Sequence, residues 1–195
     1  ISLSHKRDSR DDLRNWRPIT LLCADYKLIT KTIASRLRNS LSSIIHPNQT
    51  CAVPGRDIVT NLCLIRDLID FQTFKQNNTF IVSYDFEKAF DTLDHRFILK
   101  VMKKFNFGNN FIHFLENIYT NRTAVIQNNG YFTKKVQIKR GIIQGDPLSL
   151  PIFCIAAEIQ SHLIRTDTRI HGIHIPGSPT PLKISLYADD TETFN

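Results

Sequence analysis

Two short apolar segments of this chain each run directly into aspartate, and this pattern limits the folds that it can adopt. Residues 79–84 are apolar and β-branched and predict a buried strand that leads into Asp85. Residues 182–187 alternate between apolar and polar side chains, which predicts a half-buried strand ending at Asp189 and Asp190. Residues 191–194 are the expected return strand of a tight hairpin. Because adjacent carboxylates repel each other, two of them after an apolar strand call for a chemical reason.

The rest of the chain alternates helical patterns with short strands. The segment 4–15 is charged and predicts an extended arm or loop. Asp57 is the expected N-cap of one helix, and either Asp91 or Asp94 caps another. Helical periodicity covers residues 28–45, 58–69, 97–105, 111–119 and 153–163, and Asn129-Gly130 predicts a β-hairpin turn. This mixed order predicts an α+β fold, with a small antiparallel sheet packed on helices.

The composition is typical of a globular, positively charged protein, but it does not indicate a specific function. The chain has 195 residues, 42% of them hydrophobic, which suffices for a real core. Its net charge of +7 suits a polyanionic partner but does not establish one. The four cysteines show no metal-binding spacing, which favours a reduced intracellular protein with buried thiols. No apolar stretch approaches the ~18 residues of a membrane span, so we expect no membrane partner. Since the chain starts without Met and stops just after Asp189-Asp190, we expect it to be a piece of a longer protein.

A divalent cation would resolve the conflict between the adjacent carboxylates. Mg²⁺ takes oxygen ligands and keeps positions open for substrate phosphates. Two such ions, about 3.5–4 Å apart, can activate an attacking hydroxyl and stabilise a leaving oxygen in phosphoryl transfer. Such a site needs a third carboxylate, and Asp85 is the natural candidate if the two strands are neighbours. Taken alone, the spacing favours the simpler interpretation of an acidic hairpin tip and an ordinary aspartate at a strand end.

Four ordered motifs surround these aspartates and carry a family resemblance. They are Asn15-Trp16-Arg17-Pro18-Ile19 with the stretch from His46-Pro47 through Gln49 to Gly55-Arg56, then Tyr84-Asp85-Phe86-Glu87-Lys88-Ala89-Phe90-Asp91, then Arg140-Gly141-Ile142-Ile143-Gln144-Gly145-Asp146-Pro147-Leu148-Ser149, and finally Tyr187-Ala188-Asp189-Asp190. In these motifs the chain resembles the reverse transcriptases of LINE-type (non-LTR) retrotransposons. Group II intron and retron enzymes share several of the motifs, but the amino-acid sequences of residues 16–19 and 84–91 are more similar to those of LINE-type elements.

The resemblance implies a right-hand polymerase fold. It divides the chain into a fingers-like region, residues 1–78, and a palm-like catalytic region, residues 79–195, that stops before the thumb. Two departures from the family pattern stand out. Ser149 is followed by Leu150 before Pro151, and residues 191–193 are more polar than the usual return strand. Neither departure alters a predicted metal ligand, although both are features expected of a decayed copy.

The resemblance also implies roles for individual residues. Asp85 and Asp189 are expected to bridge two Mg²⁺ ions, or Mn²⁺ in their place, with Asp190 as the supporting carboxylate. Phe90 would lie under the incoming sugar and exclude a ribose 2′-hydroxyl; the alternative is a core phenylalanine at the start of a helix. Gln144 would touch the incoming nucleotide or the templating base. The other predicted substrate-binding residues are Gly145, where backbone approaches nucleic acid, and Arg140, Arg17 and Arg56, which would meet phosphate or template.

Several of these assignments have plain structural alternatives. Arg140 is also compatible with a solvated loop, and Lys88 fits a surface position better than the cleft. Glu87, Asp91 and Asp94 are interpreted as surface or capping residues rather than ligands.

The resulting hypothesis is an RNA-directed DNA polymerase, a nucleotidyltransferase that works on an RNA template, a DNA primer and deoxynucleoside triphosphates. By the same resemblance, we expect an intracellular and nuclear location. The rival hypothesis is a catalytically inactive, nucleic-acid-binding remnant of such an element. A third, an RNA-templated RNA polymerase, shares the carboxylates but is disfavoured by Phe90.

Overall fold

The computed structural model describes residues 1–6 and 8–195 as an α+β protein. The helices are α1 (Ala24–Ile44), α2 (Ile58–Lys75), α3 (Ala89–Thr92), α4 (His95–Lys104), α5 (Asn109–Tyr119) and α6 (Ser149–Thr166). The strands are β1 (Ser2–His5), β2 (Trp16–Ile19), β3 (Ile81–Tyr84), β4 (Thr123–Ala124), β5 (Gln127–Asn128), β6 (Tyr131–Phe132), β7 (Val136–Gln137), β8 (Ile184–Tyr187) and β9 (Asp190–Phe194). The predicted fold class is thus confirmed.

The chain divides into two compact units, each built from two stretches of sequence. The first unit comprises residues 1–35 and 88–149, and the second comprises residues 36–87 and 150–195. The predicted division into fingers and palm has its boundary near residue 79 and was based on the family resemblance, not on contacts; it remains a prediction. In the part of the chain described, no helix is long and apolar enough to cross a membrane.

The second unit is organised around a three-stranded antiparallel sheet in the order β3-β9-β8. Its hairpin, β8 to β9, has the tight turn that the sequence predicts. Leu68 of α2, Phe194 of β9 and Ile173 form a buried cluster, so α2 packs on this sheet. The long-range pairing of β3 with β9 places the segment that precedes Asp85 beside the segment that follows Asp190.

Two burial predictions for this sheet are wrong. The strand β3 is exposed rather than buried; Tyr84 alone has 46% of its surface accessible. It lies at the edge of the sheet, where apolar character reflects strand propensity more than burial. Conversely, β8 is buried on both faces, since Ile184, Ser185 and Leu186 are all buried. Ser185 is accommodated there because its hydroxyl accepts a hydrogen bond of 2.8 Å from the side chain of buried Asn61. A polar residue in an alternating pattern is therefore not always on the solvent side.

The first unit contains a four-stranded sheet in the order β2-β1-β5-β6 and a two-stranded ribbon of β4 and β7. The expected arm at residues 4–15 is partly wrong, since β1 pairs antiparallel with β2 and Leu13–Asn15 form a 3-10 turn. The Asn129-Gly130 hairpin is confirmed between β5 and β6. The helices α4 and α5 pack together through buried side chains that include Ile98, Met102 and Leu115.

Capping residues set several helix boundaries as predicted. The Asp57 side chain accepts from the backbone N–H of Thr60 at the start of α2. Of the two candidates for α4, Asp94 is the cap, because its carboxylate accepts from the N–H groups of Arg96 and Phe97. Pro151 lies in the first turn of α6, where a missing N–H is tolerated.

Candidate active site

The three predicted metal-binding aspartates lie at the same end of the second unit's sheet. Tyr84, the last residue of β3, pairs with Thr191 of β9. Asp85 directly follows Tyr84, and Asp190 directly precedes Thr191, so this register brings the two aspartates to the same end of the ladder. Asp189 belongs to the turn between β8 and β9. The fold thus joins two segments that are far apart in sequence.

Electrostatics at this end of the sheet reflect crowding of like charges. The pKa of the Asp190 carboxyl is raised, first by partial loss of solvent and then by the negative charges of Asp189 and Asp85. The pKa of Glu192 is also raised, by burial and then by the charge of Asp190. Glu192 is a fourth carboxylate that the sequence analysis did not select. Each added negative charge makes this surface more receptive to a cation.

The donor set suits a hard divalent cation, although the side chains do not form a ready-made cage. Carboxylate oxygens are the ligands that Mg²⁺ and Mn²⁺ prefer. Among residues 1–6 and 8–195, no three His, Cys, Asp or Glu side chains are grouped closely enough to hold a metal ion. The aspartates are therefore neighbours on the sheet whose side chains would have to converge when a cation binds.

The turn that carries Asp189 is held by Gln49, a residue of one of the family motifs for which the sequence predicted no role. Gln49 is only 1% exposed, and its side chain hydrogen-bonds to both the N–H and the carbonyl of Ala188. Ala188 has a φ of 56°, in the left-handed region. The position of Gln49 in a family motif could have drawn attention to it. The neighbouring sequence, however, does not show that its side chain contacts residue 188.

Arg56, predicted to meet triphosphate or template, also lies in the second unit. Its guanidinium donates to three backbone carbonyls, those of Ile45, His46 and Gln49, at 2.8–3.1 Å. These bonds tie the C-terminal end of α1 to the loop that follows it. The guanidinium thus organises this loop, and its predicted contact with triphosphate or template stays a prediction.

The first unit contains the other predicted substrate-binding residues, and Gln144 is the best defined of them. Its side-chain Nε2 donates to Asp91 Oδ1 at 2.8 Å. Burial raises the pKa of Asp91, against the opposing effects of the Gln144 hydrogen bond and of the positive charge of Lys88. The interpretation of Asp91 as a surface or capping residue is therefore wrong, because this half-buried carboxylate orients Gln144.

The remaining predicted residues of this unit lie on exposed or half-exposed positions. Phe90 is half-buried on α3, and its carbonyl accepts a hydrogen bond of 2.8 Å from the N–H of Ile142. Arg17 on β2 and Arg140 are exposed. Gly145 is also exposed and has a φ of +99°, which a side chain would strain. These placements leave the predicted roles open to test.

A cavity of about 410 Å³ lies beside Gln144 in the first unit. Its polar lining includes Lys88, Asp91, Arg122, Arg140 and Gln144, and Trp16 and Pro18 contribute apolar walls. Within the described residues, Nη1 of Arg122 is buried without a hydrogen-bond partner. Arg122 lies outside every sequence motif described above, so the sequence does not mark it as a site residue. The positive lining suits an anionic ligand.

Comparison with known proteins matches the chain to one protein family. The family model described as "Reverse transcriptase (RNA-dependent DNA polymerase)" matches residues 4–194. The chain is 35% identical over 190 residues to the "Transposon TX1 uncharacterized 149 kDa protein" of Xenopus laevis, covering 97% of the chain and 14% of that protein. It is 30% identical over 140 residues to the Pol polyprotein of a type-1 R2 retrotransposable element of Popillia japonica, covering 71% and 19%. The chain thus spans less than a fifth of the length of these relatives.

Solved structures with a similar fold include telomerases. The apo telomerase of Candida tropicalis superposes with a TM-score of 0.56 at 12% sequence identity, covering 86% of this chain and 30% of that one. The telomerase of Candida albicans, in complex with a fragment of telomeric RNA, gives a TM-score of 0.51 at 14% identity, covering 88% and 29%. At such identities the likeness concerns the fold alone, and it confirms the expected right-hand polymerase architecture.

Proposed function

The chain belongs to the reverse transcriptase family, with relatives in non-LTR retrotransposons, and from this membership we propose that it forms the polymerase region of such an element's protein. In the proposed reaction the 3′-hydroxyl of a DNA primer attacks the α-phosphate of a deoxynucleoside triphosphate. A phosphodiester bond forms, and pyrophosphate leaves. The predicted family is confirmed, and the proposal extends it to the activity of this chain.

The observation that carries this proposal is the grouping of Asp85, Asp189 and Asp190 at one end of one sheet. Partial loss of solvent and then the charges of Asp189 and Asp85 raise the pKa of Asp190, and this concentration of negative charge favours a bound cation. Reverse transcriptases generally use divalent metal ions, and we assign two Mg²⁺ ions here, with Mn²⁺ as a substitute. When bound, such ions would lower the pKa of the attacking hydroxyl and stabilise the leaving oxygen. Asp85 and Asp189 would hold both ions, and Asp190 would support them.

Residues of the first unit would recognise the incoming nucleotide. Asp91 fixes the Gln144 amide, so that Gln144 meets the nucleotide with little loss of conformational freedom. Phe90 would lie under the sugar and exclude a 2′-hydroxyl. Gly145 would let backbone approach the nucleic acid, while exposed Arg17 and Arg140 would contact phosphate.

The partners implied by this activity are an RNA template, a DNA primer and deoxynucleoside triphosphates. The net charge of +7 supports binding to polyanions. The similar fold of a telomerase that was solved with RNA is consistent with an RNA template. We also propose a nuclear location, where an element of this kind would reach its DNA target.

The test is primer extension by the full-length protein with the change Asp189→Asn. We expect extension to be abolished while the protein stays folded, because the amide removes a negative ligand without changing shape. The matched control is Asp70→Asn, which makes the same chemical change on an exposed position of α2 in the same unit. Near-normal extension by Asp189→Asn would refute the metal assignment.

A further inference from the structure

The turn between β8 and β9 has a backbone conformation that its own sequence does not favour. Ala188 has a φ of 56°, although left-handed backbone is uncommon for residues other than glycine, asparagine and aspartate. Ala188 is nevertheless buried, and the next residue is Asp189. Some other part of the fold must therefore stabilise this conformation.

The Gln49 carboxamide supplies that stabilisation. Its Oε1 accepts from the Ala188 N–H at 3.0 Å, and its Nε2 donates to the Ala188 carbonyl at 3.3 Å. The same Oε1 also accepts from the Cys51 N–H at 3.0 Å. One buried side chain thus engages both backbone polar groups of Ala188 and ties them to a separate loop. Burial makes these bonds costly to leave unmade.

Gln49 is itself held in place by its neighbours. Arg56 donates to the Gln49 carbonyl at 2.9 Å. On either side of Gln49, the Asn48 carbonyl accepts from the Leu186 N–H at 2.8 Å, and the Thr50 N–H donates to the Leu186 carbonyl at 3.1 Å. The loop therefore pairs with β8 just before the turn, and this pairing fixes the backbone of Gln49.

We propose that Gln49 is a positioning residue that sets the orientation of Asp189 and Asp190 for metal binding. The inference rests on the proposed function, because it assumes that these carboxylates hold divalent ions. Gln49 touches neither the ions nor the substrate; it acts through the backbone of Ala188. Groups that orient metal ligands typically alter metal affinity about 10–100-fold when they are removed.

The first experiment is a Mn²⁺ titration followed by electron paramagnetic resonance on the full-length protein. Gln49→Met keeps the length of the side chain but loses all three hydrogen bonds, and we expect Mn²⁺ to bind at least about 10-fold more weakly. The control is Thr50→Val, which removes the hydrogen bonds of the hydroxyl to the Asn61 side chain and the Leu186 carbonyl from the same buried loop but leaves the bonds to Ala188 in place. We expect its Mn²⁺ affinity to stay within about twofold of wild type.

A second readout follows the turn directly. Hydrogen exchange at the Ala188 amide should be about 2–10-fold faster in Gln49→Met than in wild type, because the amide loses its acceptor. It should be unchanged in Thr50→Val. If Gln49→Met does not fold, Gln49→Asn serves instead, since it keeps the carboxamide but is one methylene shorter and draws it away from Ala188; the same two changes are expected.

The outcomes separate this inference from the proposed function. Wild-type protein that binds Mn²⁺ but extends no primer would refute the proposed polymerase activity. The role of Gln49 would then still be decided by the Mn²⁺ affinities and the exchange rates of its variants. Unchanged Mn²⁺ affinity in the Gln49 variants would overturn the inference. Equal weakening in Thr50→Val would overturn it too, because a general loss of stability would then explain both.

Discussion

Gly141 offers a sharp test of how tightly the Gln144 loop is packed in the first unit. Gly141 has a φ of +85°, and a Cβ placed on it would lie 2.7 Å from the Asp91 carbonyl oxygen and 2.9 Å from the Asp91 Cα. Both distances are too short for nonbonded atoms, so Gly141→Ala must move backbone. The Asp91 backbone resists this, since its N–H donates to the Lys88 carbonyl at 2.8 Å and its side chain holds Gln144.

The expected cost has two parts. Left-handed backbone costs an alanine about 1–2 kcal/mol relative to glycine. Forcing a methyl group into filled space costs about 1–3 kcal/mol more. We therefore expect Gly141→Ala to lower the free energy of unfolding by about 2–5 kcal/mol. In an enzyme with a correctly placed Gln144, it should also raise the KM for deoxynucleoside triphosphates, because Asp91 and Gln144 would shift together.

Gly130→Ala is the matched control. Gly130 has nearly the same φ, +82°, but among the described residues no atom lies within 4 Å of the position of its Cβ. Only the backbone cost of about 1–2 kcal/mol applies. Urea denaturation followed by circular dichroism would compare both variants with wild type. Equal destabilisation by the two substitutions would refute the steric argument.

Three further predictions concern sugar selection, the charge of Asp190 and RNA binding. Phe90→Val should let the polymerase incorporate ribonucleotides, measured as the ratio of kcat/KM for ribo- and deoxynucleotides; an unchanged ratio would remove Phe90 from sugar selection. Because the pKa of Asp190 is raised in the folded state, its contribution to stability is present below pH 3.8 and is lost as the pH rises through the folded pKa. In metal-free buffer at pH 7, Asp190→Asn should therefore raise the Tm, a gain that disappears near pH 3; a lower Tm at pH 7 would contradict this electrostatic account. RNA binding should weaken steeply with added salt, and a flat response in a filter-binding assay would argue against phosphate contacts.

The sequence predicted those parts of the site that depend on local pattern. Asp85 directly follows β3 and Asp189 lies in the turn after β8, as expected, whereas Asp190 already begins β9. Strand propensity and a tight turn are local properties, so a sequence pattern can predict them. The pairing of β3 with β9 depends on distant residues, so the pattern left it open. The burial of β3 was predicted wrongly for the same reason: the apolar character of a strand does not reveal whether it lies at the edge of a sheet.

Side-chain partners distant in sequence were the least predictable feature. Asp91 was taken for a surface or capping residue because its bond to Gln144 joins two separate motifs. Gln49 was quoted only as part of a motif, although its carboxamide reaches Ala188. The guanidinium of Arg56 is engaged by three carbonyls whose positions depend on the end of α1. In each case the residue type was noticed, but its partner is set by the tertiary fold.

The ladder between β3 and β9 has a genetic consequence. Side chains along a strand alternate between its two faces, so a shift of one residue reverses the face of every residue that follows. Loss of a single codon within residues 81–84 would keep the reading frame intact and yet turn Asp85 away from Asp190. In the proposed polymerase, such an in-frame deletion would separate the carboxylates that are to hold the metal ions, and we expect it to abolish primer extension.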